Sequence, residues 1–91
     1  MRSTTLTLIN PLGMHARAAS KLVDVSKGFA SDIKLIKDGN EVDGKSIMSL
    51  LLLGASVGSQ LQLSVSGDDE DDAFTAVCAL VEAGFHELDE S

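Results

Sequence analysis

At 91 residues, 44% of them hydrophobic, the chain has the length of one domain and too much apolar character for a disordered acidic tail. With no Trp or Tyr and only three Phe, its core must come from Leu, Val, Ile and Ala, and nucleic-acid bases would find few stacking platforms. The net charge of −7 also argues against nucleic acid, but nine of the fourteen acids lie from Asp68 onward, where Lys and Arg are missing, so Met1 to Gly67 is mildly basic, with seven bases against five acids.

Thr5 to Ile9 alternates Thr with aliphatic residues and predicts a half-buried strand ending at Asn10-Pro11. Ala16 to Lys27 reads as a helix with Ala19, Leu22 and Val23 toward the core, Lys27 in its last turn and Gly28 as its stop. Phe29 then packs back on the core. Asp32 to Lys37 alternates again, and Asp38-Gly39-Asn40 supplies turn chemistry before Glu41-Val-Asp43, so the two pieces form a hairpin. Ser46 caps a short helix running through Leu53. Gly54 and Gly58 bracket a turn, and Gln60 to Ser66 gives a fourth strand. Asp68 to Asp72 places carboxylates at the start of the last helix, where the peptide dipoles favour them. Ala73, Val77, Leu80, Val81 and Gly84 follow at helical spacing. The order is β-α-β-β-α-β-α, an α+β arrangement in which helices bury one sheet face and leave the other to solvent.

Cys78 is the sole cysteine, which excludes an internal disulfide and suggests a small buried hydrophobe. The opening Met-Arg-Ser-Thr-Thr is too polar for a signal peptide, and no run approaches the roughly 18 apolar residues of a membrane span, so a cytoplasmic protein without membrane insertion is expected. His86, beside Glu87 and Asp89, fits a solvated terminus. Two histidines and one cysteine so dispersed do not make a metal site.

Chemistry concentrates in Asn10-Pro-Leu-Gly-Met-His-Ala-Arg17, where strand gives way to helix. The first N–H groups of a helix have no internal partner, and with the aligned dipoles they form a site for an anion. An imidazole nitrogen of His15 at that position could attack an electrophilic phosphorus. Arg17 and the same N–H groups would then hold the phosphate charge, while Gly13 lets the chain turn beside the ring. Lys21 and Lys45, in the basic part, suit an acidic partner surface. Ile47, Met48 and Leu51 belong to an apolar cluster too large to be all core in a short helix, so part of it should form a partner-facing patch near His15. Gly39-Asn-Glu-Val-Asp-Gly-Lys45-Ser46 matches the phosphate-loop pattern by letters. It lacks the parallel strand and long helix such a loop needs, and Glu41 and Asp43 would face the phosphates.

Gly13-Met-His-Ala-Arg17 resembles the active-site motif of the HPr family, the histidine phosphocarriers of the bacterial phosphoenolpyruvate-dependent phosphotransferase system. Lys45-Ser-Ile-Met-Ser-Leu and Leu53-Gly-Ala-Ser-Val-Gly58 are similar to its second landmark. The chain departs at Ala18, where the family usually has proline. The resemblance implies an open-faced β-sandwich, a four-stranded antiparallel sheet with three helices on one face, formed by residues 1–91 as a single phosphocarrier domain. It implies a monomer without cofactor or metal, no enzyme by itself. His15 would take a phosphoryl group from Enzyme I and pass it to an EIIA-type domain, with Arg17 stabilising it. Ser46 would be open to a regulatory serine kinase and phosphatase. The acidic last helix and Gly84-Phe85 look like the nitrogen-related form and Lys45-Ser46 like the sugar-linked form. An acyl carrier with Ser46 modified, or a regulatory binder using the apolar patch alone, are the competing readings.

Overall fold

The computed structural model describes the backbone of residues 1–89 and the side chains of residues 1–86. Four strands, β1 (Arg2–Thr7), β2 (Asp32–Lys37), β3 (Asn40–Asp43) and β4 (Gln60–Ser66), form one antiparallel sheet in the order β1-β4-β2-β3. Helices α1 (Ala16–Ser26), α2 (Ile47–Leu52) and α3 (Glu70–Glu82) cover one face, and a short 3-10 segment follows at Gly84–Asp89. The architecture is the α+β open-faced sandwich that the resemblance implied, with helices on one sheet face as the alternation of the strands predicts.

That alternation decides the layering. Leu61, Leu63 and Val65 of β4 are buried, while Gln60, Gln62 and Ser66 are exposed. In register beside them stand Leu6 of β1 and Ile33 and Leu35 of β2, also buried. Ala18, Ala19 and Leu22 of α1, Leu50 of α2, and Ala73, Val77, Leu80 and Val81 of α3 close the core from above. Each fully buried Leu, Ile or Val contributes about 1.5–3 kcal/mol relative to exposure. Four strands also remove the acyl-carrier reading, which needs an all-helical fold.

Several boundaries differ from the sequence expectation. β1 begins at Arg2 and ends at Thr7, earlier than Thr5 to Ile9. Arg2 is polar yet pairs with Val65, and it reaches over the Phe74 ring at 4.5 Å and to Asp71 at 2.7 Å on α3. Beyond Thr7, Leu8 keeps two main-chain bonds to the β4 side, from its N–H to Ser59 and to its carbonyl from Gly58, so alternation outlasts the regular ladder. α1 stops at Ser26 with Lys27 as C-cap, and Gly28 is not left-handed there. The end tightens instead through Lys27 N–H to Val23 O and Gly28 N–H to Val25 O. Cys78 is half-buried rather than buried, and partial burial raises its thiol pKa above the usual range.

Residues of the phosphate-loop pattern are spent on structure. Asn40 to Asp43 pair antiparallel with β2, Glu41 opposite Ile36 and Asp43 opposite Lys34, so no parallel strand precedes Gly44.

Candidate functional site

The site is built where β1 hands over to α1. His15 is the N-cap of α1, in extended conformation at φ −93° and ψ 179°, half-buried, and its side chain makes no capping bond. The first main-chain bond of the helix runs from Ala19 N–H to His15 O at 2.8 Å, so the amides of Ala16, Arg17 and Ala18 stand ahead of the ladder. No acidic side chain occupies the first turn. An anion arriving there meets amide dipoles and the exposed Arg17 of the same turn, with no like charge in it.

The approach to His15 is held rigidly. Gly13 has φ +63°, and a Cβ there would come within 2.5 Å of Ala55 O and 2.8 Å of Ser56 Cα, both backbone atoms that cannot swing away. Met14 N–H bonds Ala55 O at 2.9 Å, tying the turn before the histidine to the loop between α2 and β4. Asn10, fully buried, donates from Nδ2 to Gly13 O at 2.6 Å.

Several large apolar side chains stand on the surface of the molecule. Leu12, Met48 and Leu52 are 69%, 68% and 81% exposed, with Ile47 and Val57 also outside. Of the three residues expected in the patch, Ile47 and Met48 are on the surface, whereas Leu51 is half-buried and packs on the core. Sequence reading missed Leu12 and Val57 and held Leu52 only as a neighbour of Leu51. Leu12 and Val57 sit in turns, where no periodicity flags an apolar residue.

The two lysines assigned to partners are engaged within the fold. Lys21 Nζ donates to Phe85 O at 2.6 Å, and Lys45 Nζ donates to Phe29 O at 2.8 Å. Ser46 caps α2 as expected, its Oγ accepting from Ser49 N–H at 3.3 Å. Among the described residues no His, Cys, Asp and Glu cluster could hold a metal, and no helix is long and apolar enough to cross a membrane.

A family model described as the PTS HPr component phosphorylation site matches residues 2–83. The chain belongs to the HPr family. Its curated relatives include the phosphocarrier protein HPr of Cupriavidus necator, 43% identical over 89% of this chain and 91% of the relative. They also include the phosphocarrier protein NPr of Escherichia coli K12, 39% identical over 91% and 93%. A crystal structure of HPr from Thermoanaerobacter tengcongensis superposes with a TM-score of 0.92 at 40% identity, covering 96% of this chain and 98% of that one. Like other HPr proteins it is a phosphocarrier of the phosphotransferase system and not itself an enzyme. One HPr-like relative, Crh of Bacillus subtilis, is described as a domain-swapped dimer, with a TM-score of 0.75 at 34% identity over 92% and 97%.

Proposed function

We propose that His15 is the phosphoryl acceptor, charged by phosphorylated Enzyme I and discharged to an EIIA-type domain in the cytoplasm, with residues 1–91 acting as one carrier domain. The observation that carries this is the acid-free first turn of α1 with His15 as its N-cap. A ring nitrogen of His15 bonds phosphorus as the donor's bond to phosphorus breaks, and the transfer to the acceptor reverses this at the same atom. Arg17 and the Ala16–Ala18 amides offset the charge on the phosphoryl oxygens. Leu12, Ile47, Met48, Leu52 and Val57 form the docking surface, for brief meetings with partners that a carrier must release. Lys21, Lys45 and Leu51, each half-buried, complete the partner-binding set in this reading.

Ser46 is a second modification site in this reading, acted on by a serine kinase and phosphatase. A phosphate there would sit at the start of α2, beside the exposed Ile47 and Met48.

Incubation with Enzyme I and phosphoenolpyruvate tests the acceptor. Wild type should gain one acid-labile phosphate by intact mass and His15→Ala none. Uptake of acid-labile phosphate by the alanine variant would remove His15 from the role. Arg17→Ala should slow transfer while its far-UV spectrum stays that of wild type; unchanged kinetics would exclude the guanidinium.

A further inference from the structure

Asn10 is a polar residue at 0% exposure, in a turn whose neighbours Pro11 and Leu12 are both on the surface. A buried amide has to be held by the protein, because removing it from water without a partner is costly. Its Nδ2 donates to Gly13 O at 2.6 Å, and the Asn10 main-chain carbonyl accepts from Gly13 N–H at 3.1 Å. A carbonyl oxygen only accepts, so the amide nitrogen is the atom that must face Gly13.

Gly13 O carries a second bond. His15 N–H donates to it at 3.0 Å. Asn10 and the main chain of His15 therefore converge on one oxygen, and Gly13 on either side of it is fixed by its positive φ and by contact with Ala55 and Ser56. Through this carbonyl the buried amide sets where the peptide of His15 lies, and with it the direction in which the imidazole leaves the helix cap.

We propose that Asn10 is a positioning residue for phosphotransfer, acting on His15 through the carbonyl of Gly13. It touches no reacting atom. Its effect belongs to alignment of the ring nitrogen with the incoming phosphorus, where small displacements lower the rate steeply. The proposal rests on His15 being the acceptor.

Steady-state transfer from Enzyme I, with the carrier as varied substrate and rates normalised to the folded fraction by NMR, tests it on Asn10→Ala, Asn10→Leu and Asn10→Ser, with His15→Ala as control. In Asn10→Ala kcat should fall on the order of tenfold, with KM changing less. The His15 ring 1H–15N signals should shift. Asn10→Ser, which keeps a hydroxyl donor, should recover part of both. Asn10→Leu fills the volume without a donor and takes the place of the alanine variant if that chain does not fold. Folded donor-less variants with wild-type kcat, a loss confined to KM, or unmoved ring signals would each overturn the proposal. Phosphate uptake by the His15→Ala control would instead overturn the acceptor assignment.

Discussion

The N-termini of α1 and α3 lie over the same sheet and treat the helix dipole in opposite ways. α3 opens with Glu70, Asp71 and Asp72, after an N-cap of Asp69, so its positive end is met by its own carboxylates. α1 opens with Ala16, Arg17 and Ala18 and has no acid in its first turn. The difference teaches what each end is for. α3 is completed by the chain itself, and even its cap residue looks elsewhere: Asp69 accepts from Ala30 N–H at 2.8 Å, Ser31 N–H at 2.9 Å and the Ser31 hydroxyl, pinning the turn after α1. On the proposed carrier role, α1 keeps its dipole for an anion that comes and goes.

Making α1 resemble α3 should give the largest effect. Ala16→Glu puts a carboxylate in the first turn of α1, where it stabilises the helix by about 0.5 kcal/mol and opposes an incoming phosphoryl group. Transfer from Enzyme I should drop roughly 10- to 100-fold, equivalent to about 1.4–2.8 kcal/mol in the barrier. Thermal melting and transfer kinetics on one sample separate the two consequences. A stabilised chain that transfers at the wild-type rate would mean that the empty first turn has no part in the chemistry.

The other half of the comparison is sharpened by acid. The Ser31 hydroxyl and the Ala30 amide hold the Asp69 carboxyl below the ordinary carboxylate range, and the terminal ammonium of Met1 and the Gly67 amide do the same for Glu70. A carboxyl whose folded pKa is lowered binds its proton more readily in the unfolded chain. Its stabilising contribution is therefore complete above the unfolded value of about 3.9 and is lost as pH falls through the lower folded value. Asp69→Asn keeps the shape but not the charge, so urea midpoints measured from neutral pH downward should fall less steeply in acid than those of wild type. Glu70 contributes to the acid limb that remains. Parallel curves for the two proteins would show that the clasp from Asp69 to Ser31 has no charge-dependent role in holding the fold.

What the sequence revealed follows from how local each cause is. β2 and β4 were legible to the residue because alternation records burial on one face, and the start of α1 because Gly13 and His15 mark a turn before apolar periodicity. Strand β1 is displaced because its first half is polar on the inner side, where Arg2 is satisfied by Asp71 and Phe74, residues far along the chain on α3. Within the six-residue α2 nearly every side chain is apolar, so only tertiary contact separates buried Leu50 from exposed Leu52. By charge Lys21 and Lys45 suit a partner, yet they bind the carbonyls of Phe85 and Phe29, a use of lysine that leaves no periodic mark. Asn10 carried a signal of its own, a polar residue continuing the buried side of an alternating run, and was absorbed into the strand's end.

The smallest effect concerns Ala18, where α1 departs from the family's usual proline. Ala18 is fully buried and stands third in the helix, ahead of the first ladder bond from Ala19 to His15. Proline there would break no main-chain bond of the helix, and its fixed φ suits a first turn. It would also narrow the unfolded ensemble, a gain of about 0.4–1 kcal/mol when the ring fits. The added ring atoms must fit beside Ala19 and Leu22 in a closed core, which offsets part of that gain. Ala18→Pro should therefore move stability by less than about 1 kcal/mol and leave transfer within about twofold, since neither the Gly13 carbonyl nor the Arg17 position depends on the Ala18 side chain. Urea unfolding with transfer kinetics measures both. A large gain in rate would show that the alanine leaves the cap of α1 underdetermined, and that the anion site described by His15, Arg17 and the first amides is only partly preorganised in this chain.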